Sequence, residues 1–259
     1  MPELPDLQVF SRNLHKRIKG KTVKKVAVPV TKNLNVSVKE LRKALEGEKV
    51  TRVYREGKEL HIAFENGSTL GLHMMLKGNL HLFERKNQNK NPIIVLFFDD
   101  ETGLALTDWQ RAATPTLNPL KREAPDALSK ALTSAYLEKR LEKTRTIIKT
   151  VLLDQKVIRG IGNAYADEIL WQAKISPFSV SNRIPAAKVR DLLKSISKVL
   201  NNAEKKILKS HPDIIHGEVR DFLDIHHPKK QKSPTGAMIR TKQAASRRTY
   251  YTDEQELYA

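Results

Sequence analysis

The chain has 259 residues, 39% of them hydrophobic, and its 47 Lys and Arg outnumber its 29 Asp and Glu, for a formal charge of +18. That length supports two modest domains with ordinary cores, and the positive surplus points to a polyanionic partner, nucleic acid first, or to an anionic membrane surface. The absence of cysteine excludes disulfides, thiolate nucleophiles and cysteine-ligated zinc or iron–sulfur sites, and no apolar run reaches the ~20 residues that span a bilayer. The N-terminus also lacks the apolar centre of a signal peptide, so an intracellular, cytoplasmic protein is expected.

The opening M-P-E-L-P-D has two readings. In one, Pro2 and Pro5 frame the start of a helix, with Asp6 in its first turn. In the other, removal of Met1 leaves Pro2 with a free secondary amine. An α-amino group titrates near pH ~8 and is partly neutral in a cell, so it is a competent nucleophile. Glu3 then stands beside it as a carboxyl group for the proton transfers of Schiff-base chemistry.

From Val23 to about Phe98, runs such as KKVAVPV, ELHIAFENGSTLGLHMM and IIVLFFDDETGLAL alternate with period two around Asn-Gly and Thr-Gly punctuation. They predict antiparallel hairpins. A stretch with Pro115, Pro119 and Pro125 closes this half near residue 125. Beyond it, apolar residues recur at helical spacing through YLEKRLEKTRTIIKTVLLDQ, ADEILWQAKI and AAKVRDLLKSISKVLNNAEKKIL. A basic tail ends the chain as one further hairpin. The expected fold is α+β: an N-terminal antiparallel β-sandwich domain over 1–125 and a helical domain over 126–259, its appendix at about 232–259.

Between two helical runs stands V-I-R-G-I-G-N, where Gly160 and Gly162 permit tight turning and Asn163 is placed to cap the next helix. Outward-facing amides there, with Lys149, Lys156 and Arg159 nearby, would cradle phosphate; an ordinary helix connection is the competing reading. Ile161, Tyr165, Ile169 and Ala173 share one helical face and read as core.

Four motifs in order carry a family resemblance: MPELPD, R-E-G-K at Arg55–Lys58, the segment from Leu152 to Pro177, and R-R-T-Y-Y at Arg247–Tyr251. Together they resemble the formamidopyrimidine-DNA glycosylase and endonuclease VIII family of base-excision repair enzymes, and they span nearly the whole chain. The resemblance implies a monomeric, cytoplasmic enzyme acting on damaged double-stranded DNA, with a β-sandwich and a helix–two-turn–helix domain clasping the duplex across a basic cleft. It implies Pro2 as the nucleophile at C1′ of an extruded nucleotide, with Glu3 as general acid/base. Lys58 would touch the phosphate beside the lesion and assist elimination, and Arg247 would be the finger arginine gripping the flanking phosphates. Lys149 and Asn163 correspond to phosphate-binding positions and Arg111 to a DNA-contacting arginine. No metal or organic cofactor is implied, because the iminium is itself the electron sink.

Two departures from the pattern are legible. Most members end in a zinc finger with two C-x-x-C pairs; here K-S-P-T-G, Lys232–Gly236, and Y-T-D-E-Q, Tyr251–Gln255, stand in their place, as in members with a zincless finger. Strand pairing and the apolar anchors Ile239, Tyr250, Tyr251, Leu257 and Tyr258 are then expected to hold the hairpin. Where formamidopyrimidine-DNA glycosylases carry D-P-R-R-F-G, this chain has D-W-Q-R-A-A, Asp108–Ala113. Gln110 replaces the residue that reads the opposite base and Ala112 the aromatic wedge, which leaves Met75 or Trp109 to fill the duplex gap. The chain after Val219–Phe222 runs almost directly into the finger, so an open lesion pocket is expected. The leading expectation is a bifunctional glycosylase and abasic-site lyase. The alternatives are a lyase with weak base excision, a non-catalytic lesion binder, and a basic RNA-binding protein.

Overall fold

A computed structural model describes residues 1–244 and 246–259. The chain divides into two compact units: Met1–Lys121 with Ile207–Glu218, and Arg122–Lys206 with Val219–Ala259. The return of Ile207–Glu218 to the first unit was not legible, because its first four residues, Ile207–Ser210, continue a helix of the second unit without a break.

The first unit opens with α1 (Leu4–Ile18), which buries Leu4, Leu7, Phe10, Leu14 and Ile18 at steps of three and four residues. Each such side chain contributes roughly 1.5–3 kcal/mol by leaving water. Two four-stranded antiparallel sheets follow. Strands β1 (Val23–Ala27), β6 (Pro92–Phe98), β7 (Thr102–Thr107) and β5 (Asn79–Glu84) form one in that order. Strands β2 (Val50–Glu56), β3 (Glu59–Phe64), β4 (Thr69–His73) and β8 (Thr114–Leu117) form the other, and α2 (Val38–Leu45) lies between β1 and β2 in the chain. The returning segment joins α1 by side-chain bonds: Asn13 donates to the Ile214 carbonyl at 2.8 Å and Arg17 pairs with Asp213 at 2.9 Å.

The second unit holds α3 (Ser134–Glu142), α4 (Ile148–Leu153), α5 (Asn163–Gln172) and most of α6 (Ala186–Ser210), then the two-stranded hairpin β9 (Arg240–Ala244) and β10 (Arg247–Tyr251). Ile161, Tyr165, Ile169 and Ala173 are buried as their spacing predicted. The chain end docks by backbone: Ser176 donates to the Glu256 carbonyl at 2.8 Å and Val180 to that of Tyr258 at 2.7 Å.

Candidate active site and nucleic-acid interface

Pro2 and Glu3 are buried at the head of α1. The Glu3 N–H donates to the Asp6 carboxylate at 2.8 Å, which fixes the residue before the helix and places negative charge on its first turn, where the dipole favours it. The Met1 ammonium pairs with Glu218, a residue that no sequence pattern singled out. Helix α1 also holds the β2–β3 hairpin: Gln8 accepts from Arg55 Nε at 2.9 Å and His15 Nδ1 accepts from the Val53 N–H at 3.1 Å. At the tip of that hairpin, register runs to Glu56 opposite Glu59, leaving Gly57 and Lys58 as the two-residue turn. Gly57 has φ of 59°, which suits glycine as the first turn residue of a tight hairpin. Arg55 Nη1 donates to the Gly57 carbonyl at 3.0 Å, bracing the residue before Lys58.

The loop carrying D-W-Q-R-A-A is built on one carboxylate. Asp108 is buried and accepts the N–H groups of Gln110 at 2.9 Å, Ala112 at 2.8 Å and Ala113 at 2.8 Å. Such an Asx arrangement folds the backbone on itself and turns the intervening side chains outward. Gln110 and Arg111 are exposed accordingly, and Trp109 is 64% exposed. A second tight turn presents Met75, at φ of 49°, and Leu76. It closes through Gly78 N–H donating to the Met74 carbonyl at 2.8 Å, and a Cβ on Gly78 would stand 2.3 Å from that oxygen. Met75 is 37% exposed and Leu76 60%. Leu76 was missed in the sequence; exposure of a large apolar residue on a turn this constrained is the signal that finds it.

In the second unit the structure corrects several expectations. Gly160, Ile161 and Gly162 are buried, and the Gly160 N–H is already taken by Gln155 Oε1 at 2.9 Å, so it does not face outward. Gly162, not Asn163, is the N-cap of α5; the Asn163 amide instead donates to the Arg248 carbonyl at 3.0 Å. Lys149 was expected at phosphate. Its side chain is 0% exposed and its ammonium donates to Asp167 at 2.6 Å and Thr249 at 2.7 Å, so it serves the interior of the unit. A buried ammonium that has found a carboxylate has no reason to leave it for an exposed ligand. Arg159 is buried too and donates to the Ala124 carbonyl at 2.6 Å. Lys156 and Arg247 are exposed.

Beside Asp167 on α5, Glu168 accepts the N–H groups of Asp224 and Ile225, both at 2.8 Å, and of His226 at 2.7 Å. Burial pushes its carboxyl above the ordinary range, opposed by those three donors. The finger itself is closed by Glu254, which accepts from the Thr235 hydroxyl at 2.8 Å and the Thr252 hydroxyl at 3.2 Å and pairs with Lys174 at 3.1 Å. The Thr235 hydroxyl first, with Lys174 and the Trp171 N–H, holds this carboxyl down to about 2 against desolvation. Hydroxyls and one carboxylate, with no thiolate or imidazole among them, do not suit tetrahedral zinc. Of the expected apolar anchors, Tyr250 packs with Trp171, Ile225 and Ile239, and Tyr251 meets Phe178 edge-on at 5.1 Å. Leu257, 58% exposed, is not an anchor.

Residues 1–114 match the formamidopyrimidine-DNA glycosylase N-terminal domain and residues 124–211 the formamidopyrimidine-DNA glycosylase H2TH domain. The chain belongs to the formamidopyrimidine-DNA glycosylase family. It is 33% identical over 237 residues to the formamidopyrimidine-DNA glycosylase of Lactobacillus acidophilus, covering 87% of this chain and 86% of that protein. To the formamidopyrimidine-DNA glycosylase of Lactiplantibacillus plantarum it is 28% identical, with 97% of both chains covered. Among solved structures of the family, a complex of the Lactococcus lactis Fpg with DNA containing an abasic site superposes with a TM-score of 0.87 at 25% identity, covering 97% of this chain and 98% of that one. Among the described residues no helix is long and apolar enough to cross a membrane.

Proposed function

We propose that this chain is a bifunctional DNA glycosylase and abasic-site lyase acting on damaged duplex DNA, with Pro2 as its nucleophile. The observation that carries the reading is the seating of Pro2 and Glu3 at a helix head whose next turns grip the Lys58 hairpin through Gln8 and Arg55. Nucleophile, carboxyl group and hairpin lysine are thus referred to one rigid element, as preorganised chemistry requires. Family membership and neighbours bound to abasic-site DNA support the same reading.

In this mechanism, removal of Met1 frees the Pro2 nitrogen, which bonds to C1′ of the extruded nucleotide as the C1′–N bond to the base breaks; protonation of O4′ then opens the sugar ring at C1′–O4′ and leaves C1′ as an iminium on the Pro2 nitrogen. Glu3 supplies and receives the protons. The resulting iminium acidifies C2′; loss of that proton breaks the 3′ carbon–oxygen bond and expels phosphate. Lys58 assists at the adjacent phosphate and Arg247 grips the flanking ones. Arg111 and Lys156 serve as DNA contacts, and Gln110 faces the opposite base. Met75, and with it Leu76 on the same turn, fills the gap. With Gln110 and Ala112 in place of the reading arginine and wedge, an endonuclease VIII-like preference is favoured over strict recognition of 8-oxoguanine.

A panel of single-lesion duplexes separates the readings. Base release together with strand nicking is expected. Nicking of abasic DNA without release of any base would reduce the protein to a lyase, and tight binding with neither would make it a lesion binder.

A further inference from the structure

Three consecutive residues of β10, Arg248 to Tyr250, are tied to α4, α5 and the preceding linker, and Arg247 is tied to them through Thr249. The Lys149 ammonium donates to the Thr249 hydroxyl at 2.7 Å, and that hydroxyl donates to the Arg247 carbonyl at 3.2 Å. Asn163 holds the Arg248 carbonyl at 3.0 Å, and the Tyr250 N–H donates to Asp167 at 3.0 Å. Asp167 accepts three donors: Lys149 on one oxygen, and on the other the Tyr250 amide and His226 Nδ1 at 2.7 Å. The His226 ring also meets the Tyr250 ring, with centroids 4.7 Å apart.

Taking a lysine and an aspartate fully out of water stabilises a fold no better than well-packed apolar residues of the same volume. What the pair does supply is direction, since Asp167 holds the Tyr250 N–H and Lys149 holds the Thr249 hydroxyl that in turn donates to the Arg247 carbonyl. We propose that Asp167 is a positioning residue for Arg247, acting through Lys149 and Thr249 on one side and through His226 on the other. This rests on the phosphate-gripping role given to Arg247 above. A long exposed arginine reaches a phosphate reproducibly only if its backbone is fixed, and here the fixing draws on side chains because, among the described residues, β10 pairs with β9 alone.

The test compares strand nicking of an abasic-site duplex in single turnover. His226→Phe keeps the ring against Tyr250 and loses the donor to Asp167, whereas His226→Asn keeps a donor at the Nδ1 position. Thr249→Val removes the hydroxyl relay at constant shape, whereas Thr249→Ser keeps it. His226→Phe and Thr249→Val should each slow nicking about tenfold, as a misplaced phosphate contact does, and the Asn and Ser variants should stay within about twofold of wild type. In an Arg247→Ala background, the losses from His226→Phe and Thr249→Val should vanish. Equal slowing with and without Arg247, or no slowing in either variant, would overturn the inference. If Arg247→Ala nicked like wild type, the role of Arg247 would fail, and this inference with it; the two failures are therefore distinguishable.

Discussion

Lys58 and Arg247 both ride on β-hairpins, yet the two hairpins are held differently. The Lys58 hairpin, β2–β3, continues through β4 to β8 and leans on α1, so most of its order comes from ladder hydrogen bonds and apolar burial. The Arg247 hairpin, β9–β10, is a two-stranded sheet whose outer strand is exposed over Arg240–Gln243. Such a ribbon is marginal in water. Its order comes from the Asp167 carboxylate behind it and from Glu254 across its base. Precision that a sheet provides through backbone must here be provided through buried charge, which makes the finger the more breakable of the two.

The largest expected break is Asp167→Ala, which strands the Lys149 ammonium in the interior and should cost about 3–5 kcal/mol of stability. Urea unfolding combined with hydrogen exchange should show the loss concentrated in the second unit, with β2 and β3 still protected. Lys58→Ala goes the other way. It should leave the unfolding curve in place and, under the role proposed for Lys58, slow elimination about 10²-fold, measured as strand nicking, without touching the ladder. Gly57→Ala should cost about 1 kcal/mol, since a side chain there must sit at φ of 59°. Its midpoint shift tests how firmly the turn is held.

The smallest effect concerns pH. Glu254 has its carboxyl depressed to about 2 in the fold. Its contribution is therefore fully present above the ordinary carboxylate range near pH ~4.5 and is lost as pH falls through about 2. The group is partly exposed, so Glu254→Gln should cost less than about 1 kcal/mol at pH 7. The gap between variant and wild type in urea should close as pH is lowered toward 2.

The strands, the buried face of α5 and the missing metal pairs were legible because each depends on local spacing or on residue type. The burial of Lys149 was not, since its partners Asp167 and Thr249 are 18 and 100 residues away in sequence. For the same reason Asn163 read as a cap: the finger strand that occupies its amide is 85 residues distant. Leu76 was hidden beside Met75, because a sequence of apolar neighbours does not say which one a turn exposes. The return of Ile207–Glu218 to the first unit depends on Asn13 and Arg17 at the far end of the chain.

Treatment with borohydride in the presence of abasic-site DNA, followed by mass spectrometry of the adduct, tests the central claim most directly. A protein–DNA cross-link on the nitrogen of Pro2, absent in Pro2→Gly, is the predicted result. A cross-link on a lysine, or an adduct carrying Met1 still attached, would contradict it.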